Sequence, residues 1–354
     1  MKKRSSKKRL KKVVIFIITG VVILLGVLGG IFLFGRDGDK SVLDKIIKTP
    51  EKKEEKKTEI EIINPKSNTR NVAVMINNIK KVWGYQSGLQ DAHIIYEIIT
   101  EGGITRLMAI YKDKDTARIG SVRSARIYYI DYALENDAIY VHVGGSKEAI
   151  NDINTLGISD LNGQTIFRDK TLGLRTEHTA FTSMELINSK VASRKMRSTT
   201  EKKNLLNYSI DELDISKMEG AIKADDIYIS YSASKSTTFK YDAENKVYKR
   251  FQNDIAHTDY VTKEQYTAKN IITYQVPNRS YDSYGRQELD NLGKGKGYFI
   301  TDGYAVPITW EKSKRASQTI YRYLNGEELI VNDGNTYIQI QPKNRDFKIN
   351  ELNY

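Results

Sequence analysis

Residues Glu101–Ser146 read EGGITRLMAIYKDKDTARIGSVRSARIYYIDYALENDAIYVHVGGS, and the order of periods within them decides the fold. Arg106–Tyr111 (RLMAIY) is a short apolar run of strand length, and the polar KDKD that follows is a turn. Ala117–Val122 (ARIGSV) reads as its hairpin partner. From Ser124 the period changes: Ile127, Ile130, Leu134 and Ala138 recur three to four apart, as on one face of a helix. Ile139–Val143 (IYVHV) returns to strand, and Gly144-Gly145-Ser146 leads into a helical stretch from Lys147. Upstream, Val72–Ile76 (VAVMI) is a buried strand, and His93–Thr100 (HIIYEIIT) fits either strand or helix. Mixed strands and helices in this order predict a mixed α/β domain over residues 71–220, more irregular in its second half.

Beyond Ala224 the texture is different. Alternating runs are separated by Asp302-Gly303, Asn325-Gly326 and Asp333-Gly334, each a hairpin turn by composition. Tyr298–Ile300, Tyr304–Trp310, Thr319–Tyr323, Glu328–Val331 and Thr336–Ile340 read as a β meander. Ile227–Tyr231, Thr238–Tyr241, Lys246–Phe251 and Ile271–Gln275 add further strands. Residues 221–354 are therefore expected as a mostly β domain, and the whole as an α+β protein.

In front of both domains lies a basic and then apolar leader. Residues 1–12 hold eight Lys/Arg and no acid, leaving 48 of the 56 basic residues against 44 acidic ones in the remainder. The net charge of +12 thus belongs mainly to the tail, and a nearly balanced body lacks the basic face that nucleic-acid binding needs. Val13–Phe34 carries no charge over its whole length. A helix of that length spans roughly 33 Å, enough to cross a bilayer core. With the lysines and arginines on its N-terminal side, the tail is expected in the cytoplasm and the domains outside the cell. A cleavable leader would have a shorter apolar core and a small-residue cleavage site, which Gly35-Arg36-Asp37-Gly38 does not supply. Residues 13–34 are read as an uncleaved transmembrane signal anchor, and the charged residues 35–70 as a flexible spacer. The chain has no cysteine, which excludes disulfides, a thiol nucleophile, thiolate metal ligands and a lipid-modified cysteine.

Four arginines, Arg106, Arg118, Arg123 and Arg126, fall among segments that otherwise read as core. A guanidinium offers a fixed fork of donors suited to carboxylate or phosphate and cannot shed its charge. Together with Gly144, Gly145 and Ser146 at a helix start, and with Ser124 as a possible cap, they form a candidate anion or ligand site. The alternative is internal pairing with Asp91, Glu97, Glu101 or Asp131. His142 alternates with Val141 and Val143 and so faces away from them; it and Asp91 are the candidates for moving a proton. Glu101, His178, His257 and Asp259 are secondary candidates. With four histidines and no HxH or HExxH spacing, no metal site is expected, and no cofactor is implied. Tyr281, Tyr284, Tyr298, Tyr304 and Trp310 are read as half-buried filler of the β domain rather than a ligand groove.

The segments SGLQDAHIIYE, EGGITRLMAIY, IGSVRSARIYYID, HVGGS and EHTAF, followed by YDAENKVYKR, HTD, GKGYFITDG, ITW and DGNTYIQI, resemble the YerB-like family of Gram-positive bacteria over about residues 71–345. The resemblance implies a two-domain extracytoplasmic protein, held at the membrane, whose biochemical activity is unknown. Many members look like lipoproteins. This chain departs from them in lacking cysteine and in reading Glu177-His178-Thr179 where Pro-His-Asn is expected. Two functions are compatible: a membrane-tethered scaffold that binds an envelope glycan, lipid-linked or protein ligand, or an enzyme on an anionic envelope substrate. The second draws on a similarity of TRLMAIYKDKDTARIGSVRS to the LytR-CpsA-Psr phosphotransferases, which implies that Arg106, Arg123 and Arg126 clamp phosphates. Asn77-Asn78 stands where that family's catalytic aspartate context is expected.

Overall fold

The computed structural model describes residues 57–354, which form one compact unit. The basic tail and the Val13–Phe34 segment lie outside the described residues, and among those described no helix is long and apolar enough to cross a membrane. The second part of the expected spacer is not free of the body. The Asp333 carboxylate accepts the N–H groups of Glu61 and Ile62 and pairs with Lys57 at 3.0 Å, while Ile63 is buried. Arg70 is buried too, donating to the carbonyl of Asp137 and the hydroxyl of Ser159. A run of charges that reads as solvated chain is captured by one carboxylate and one apolar anchor.

The N-terminal part contains β1 (Val72–Asn77), β2 (Ile94–Ile99), β3 (Thr105–Tyr111), β4 (Ile119–Gly120), α1 (Ile127–Glu135), β5 (Ile139–Val141), α2 (Lys147–Thr155), β6 (Phe167–Arg168), β7 (Ala180–Thr182) and α3 (Met184–Ser193). His93–Thr100 resolves to strand because both its neighbours are strands, with β3 on one side. Ala117–Val122 does not fold back on β3. Its core, β4, pairs antiparallel with β7 in a separate small sheet, so the hairpin expected at KDKD is absent. Helix α1 begins at Ile127 with Arg126 as its cap residue, and no side chain caps it; Ser124 lies two residues too early. Ser146 does cap α2, its hydroxyl accepting the Ala149 N–H at 3.2 Å.

The C-terminal part is built from strands: β8 (Asp226–Ser232), β9 (Lys235–Asp242), β10 (Val247–Gln252), β11 (Asn270–Val276), β12 (Gly293–Thr301), β13 (Tyr304–Lys312), β14 (Ile320–Tyr323), β15 (Thr336–Pro342) and β16 (Phe347–Ile349), with shorter pairings around them. Asp302-Gly303 makes the expected tight hairpin between β12 and β13. Strand β14 continues the meander antiparallel on β13, and there it ends. Strand β15 leaves Asp333-Gly334 and runs parallel between β11 and β2, so one ten-stranded sheet has the order β14-β13-β12-β11-β15-β2-β3-β1-β5, with Ile222–Lys223 on β13. All seven residues of β15 are buried. Strands β8, β9, β10 and β16 form the centre of a seven-stranded second sheet.

Side chains of β2 alternate between the two faces of the long sheet, as period two requires. Tyr96 meets α1, stacking on Tyr132 with ring centroids 4.9 Å apart and donating to Glu135 at 2.7 Å. Glu97 points the other way, toward β9 and β10 of the second sheet.

A chain ending at Asp333 leaves β2 and β11 without their shared neighbour, and an unpaired buried edge is an aggregation template. Such a chain is expected to show no cooperative thermal transition and to elute as aggregate in size-exclusion chromatography. Recovery of a monomer that melts cooperatively would show that the two parts fold independently.

Candidate functional site

The turn between β2 and β3 holds Gly102 and Gly103 at φ of 69° and 72°, a region that glycine enters without strain. It carries the Glu101 carboxylate back over β3, where two arginines converge on it. Arg106 reaches Glu101 at 2.8 Å and the Ser124 carbonyl at 2.7 Å. Arg126 bonds both oxygens of Glu101, one of them through Nε at 2.9 Å, and also donates to the Ala125 carbonyl. Burial alone would raise the Glu101 carboxyl, but the Arg126 hydrogen bonds and the Arg106 charge outweigh it and hold it at about 2. Arg106 is almost fully buried, and desolvation with the neighbouring Arg126 charge lowers it to about 10.

The other predicted residues are distributed around this pair. Arg118 is bound to Asp169 at 2.9 Å, with its guanidinium 3.7 Å from the centre of the Phe181 ring. Arg123 is half-buried, and its one side-chain bond among the described residues goes to the Glu177 carbonyl at 3.0 Å. His142 does not face a cleft. It is fully buried under the glycine turn, donating from Nδ1 to the Gly144 carbonyl at 2.7 Å with Nε2 3.3 Å from Asp160. Gly144, at φ of 68°, is fixed by its N–H to Asn162, and its carbonyl accepts the Ala125 N–H. Arg106, Arg126, Glu101 and the Gly144–Ser146 turn are therefore brought together, whereas Arg118 and Asp91 lie apart from them on a cleft.

Asp91 accepts from Thr116 at 2.8 Å and lines a cleft of about 800 Å³ with Arg118, Asp242, Lys249, Glu264 and Tyr266. Asp259 lies at the cleft wall but has no capacity to spare. It accepts the N–H groups of Gly88, Val261 and Thr262 and the Tyr266 hydroxyl. Both nitrogens of His257 are engaged, one by Arg250 and one by Gln86, so neither is open to a metal. Among the described residues no group of three His, Asp or Glu is placed to hold an ion. His178 accepts from Asn77 at Nδ1 over 3.1 Å and lies 3.4 Å from Glu177 at Nε2. Trp310 is buried against Tyr274 at 4.8 Å, as filler rather than groove lining, while Tyr284 is 79% exposed.

The largest charged constellation centres on Glu97, which the sequence offered only as an internal partner for the four arginines and which pairs with none of them. Glu97, fully buried on β2, meets Arg250 at 2.7 Å and Lys235 at 3.4 Å, and accepts from Thr105, Thr237 and Asn78. Burial would raise the Glu97 carboxyl, but the Lys235 and Arg250 charges overcome this and place it at about 2; desolvation lowers Lys235 to about 8. A second buried pair, Lys312 and Glu135 at 2.8 Å, joins β13 to the end of α1. The single charge within HIIYEIIT marked Glu97 as a residue needing a partner. Nothing local in YKRFQ or SASKS marks Arg250 and Lys235 as that partner.

Residues 58–197 match the N-terminal domain, and residues 227–338 the C-terminal domain, of the family described as protein of unknown function (DUF3048). YerB of Bacillus subtilis (strain 168), a protein named as a lipoprotein, is 28% identical over 278 residues, covering 77% of this chain and 81% of its own. The crystal structure of YerB superposes with a TM-score of 0.68 at 24% identity, covering 80% of this chain and 96% of that one. At that identity the superposition speaks for the fold.

Removing one partner of a buried ion pair strands the other. Glu97→Leu is expected to cost about 3–5 kcal/mol in urea unfolding. The triple change Glu97→Leu, Lys235→Met, Arg250→Met should recover most of that loss. A single variant as stable as the wild type would show that the cluster is not closed in solution.

Acid should weaken the fold in two stages. His257 and His93 are buried neutral, His93 pulled down to about 3 chiefly by desolvation. The unfolded chain takes up their protons first, so stability falls as pH drops below about 6.5. Glu97 and Glu101, both held at about 2, add stability above their unfolded value of 4.5 that is lost as pH falls toward 2. For Glu97 alone this is on the order of 3 kcal/mol. Urea midpoints from pH 7 to pH 2.5 measure it, and a flat profile would contradict the assigned pairings.

Proposed function

For a chain that belongs to the DUF3048 family, we propose the function of a non-catalytic binding module, tethered to the membrane and displayed on the extracytoplasmic side. The observation that carries this reading is the occupation of the arginines. Arg106 and Arg126 share Glu101, and Arg118 is held by Asp169. Groups so committed position backbone rather than wait for substrate. The uncharged Val13–Phe34 segment behind a basic tail, and the lipoprotein name of the YerB relative, support the address. The anchor here is a helix spanning the bilayer once, with its N-terminus in the cytoplasm.

The ligand site of the module is the cleft at the junction of the two parts. Its Lys249 is neutralised by Asp242 at 2.7 Å and its Arg118 by Asp169, which leaves Asp91, bonded only to the Thr116 hydroxyl, and Glu264 as carboxylates without a cation partner among the described residues, on a wall of mostly polar residues. Such a wall suits a polar envelope ligand, such as a glycan or the exposed segment of a partner protein, better than an apolar one.

Full-length protein in detergent is unfolded thermally with wall glycan fragments, their peptide stems and lipid-linked pyrophosphates. A ligand at a hundred times its dissociation constant should add about 2.7 kcal/mol, and Asp91→Lys with Glu264→Lys should abolish the shift. Shifts that survive those changes remove the cleft from consideration. Release of a product from the lipid-linked pyrophosphate by the wild type would replace the binding reading with the enzymatic one.

A further inference from the structure

His178 and Arg123 form a second, separate constellation, on the side of the first sheet where β1 ends. His178 is 5% exposed, so its ring is fixed by protein contacts. The Asn77 side chain donates to Nδ1 at 3.1 Å, because its oxygen is turned to the Ile79 N–H. The ring proton therefore sits on Nε2, the nitrogen on the Glu177 side. Burial, reinforced by the Arg123 charge and opposed by Glu177, lowers the imidazole below its usual range, and Arg175 and Lys81 act in the same direction as Arg123. Arg123 and Arg175 both reach Glu177, which is also the carboxylate beside the ring.

That carboxylate is weakly held. Glu177 is 46% exposed, 3.4 Å from His178 and 4.0 Å from Arg175. Arg123 uses only Nη1, on a backbone carbonyl, so its Nε and Nη2 donors have no partner among the described residues. Glu101 is already held by Arg106 and Arg126, and it makes no direct contact with Arg123 among the described residues. Excess positive charge with spare planar donors and a fixed N–H is the arrangement that recognises a tetrahedral oxyanion.

We propose that Arg123, Arg175 and the Nε2–H of His178, which all meet at Glu177, form a binding site for a phosphate-class oxyanion that displaces the Glu177 carboxylate from the ring. The site is distinct from the junction cleft and stands or falls independently of the function proposed for it. The same chemistry is offered by a free phosphate compound and by a lipid headgroup.

The probe is inorganic pyrophosphate, titrated into full-length protein in phosphatidylcholine nanodiscs with the histidine rings isotopically labelled. The chain has four histidines, so His178→Gln identifies its ring resonance directly. Pyrophosphate should move that resonance saturably and raise its titration midpoint, because a bound anion stabilises the imidazolium. Arg123→Ala should weaken binding by about ten- to a hundredfold, the loss expected for a hydrogen bond to a charged group. Arg175→Ala, at a residue 79% exposed, should weaken it without any risk to folding. In phosphatidylglycerol nanodiscs, a resonance already shifted before titration assigns the site to a headgroup, and a shift seen only with pyrophosphate assigns it to a free ligand. A His178 resonance that does not move in either lipid, or that moves equally in Arg175→Ala and Arg123→Ala, overturns the proposal.

Discussion

Glu97 sits at the centre of the long sheet with no access to water, and five side chains from both parts of the chain satisfy it. Its carboxylate takes Asn78 and Thr105 from the first part and Thr237, Lys235 and Arg250 from the second. A buried ion cluster of this kind adds little net energy over an apolar filling, because desolvation consumes most of the Coulomb attraction. What it imposes is uniqueness. Only one docking of the second sheet on the first supplies all the donors, and any other leaves a charge stranded. The remaining connections follow from that docking: β15 lies beside β2, and Lys312 comes within reach of Glu135 at the far end of α1.

The arginines of the first part obey the same logic on a smaller scale. Glu101 is held over β3 by a two-glycine turn and takes up Arg106 and Arg126 together. The guanidiniums spend their other donors on the carbonyls of Ser124 and Ala125, the loop that leads into α1. His142 performs a similar service beneath Gly144. Residues whose chemistry suggests catalysis are here the internal scaffolding of two loops. The open surfaces lie on either side: the junction cleft, and the basic face where Arg123 meets His178.

Much of the first part was legible from its periods. The strands at Val72, Thr105 and Ile139, the helix with Ile127, Ile130 and Leu134 on one face, and the helix start after Ser146 are consequences of neighbouring residues, and they formed where expected. Internal pairing of the arginines was legible as one of two alternatives, since Glu101 stands within five residues of Arg106. The hairpin at KDKD was not legible as an error, because Ile119 and Gly120 are as suited to β7 as to β3. The attachment of residues 57–63 could not be seen either, since it depends on Asp333, far along the chain.

The sequence by itself determined the local elements, the basic and then uncharged composition of the leader and the absence of thiol chemistry, because each depends on residue types within a few positions of one another. Only the tertiary structure decided which strands are neighbours and which charges are partners. Strand β15 joins β2 across more than two hundred residues, and nothing in its alternation specifies that edge. Glu97 finds Arg250 at a separation of 153 residues, for the same reason. A buried charge announces from sequence that it must be satisfied, but the group that satisfies it is chosen by the packing of the two sheets.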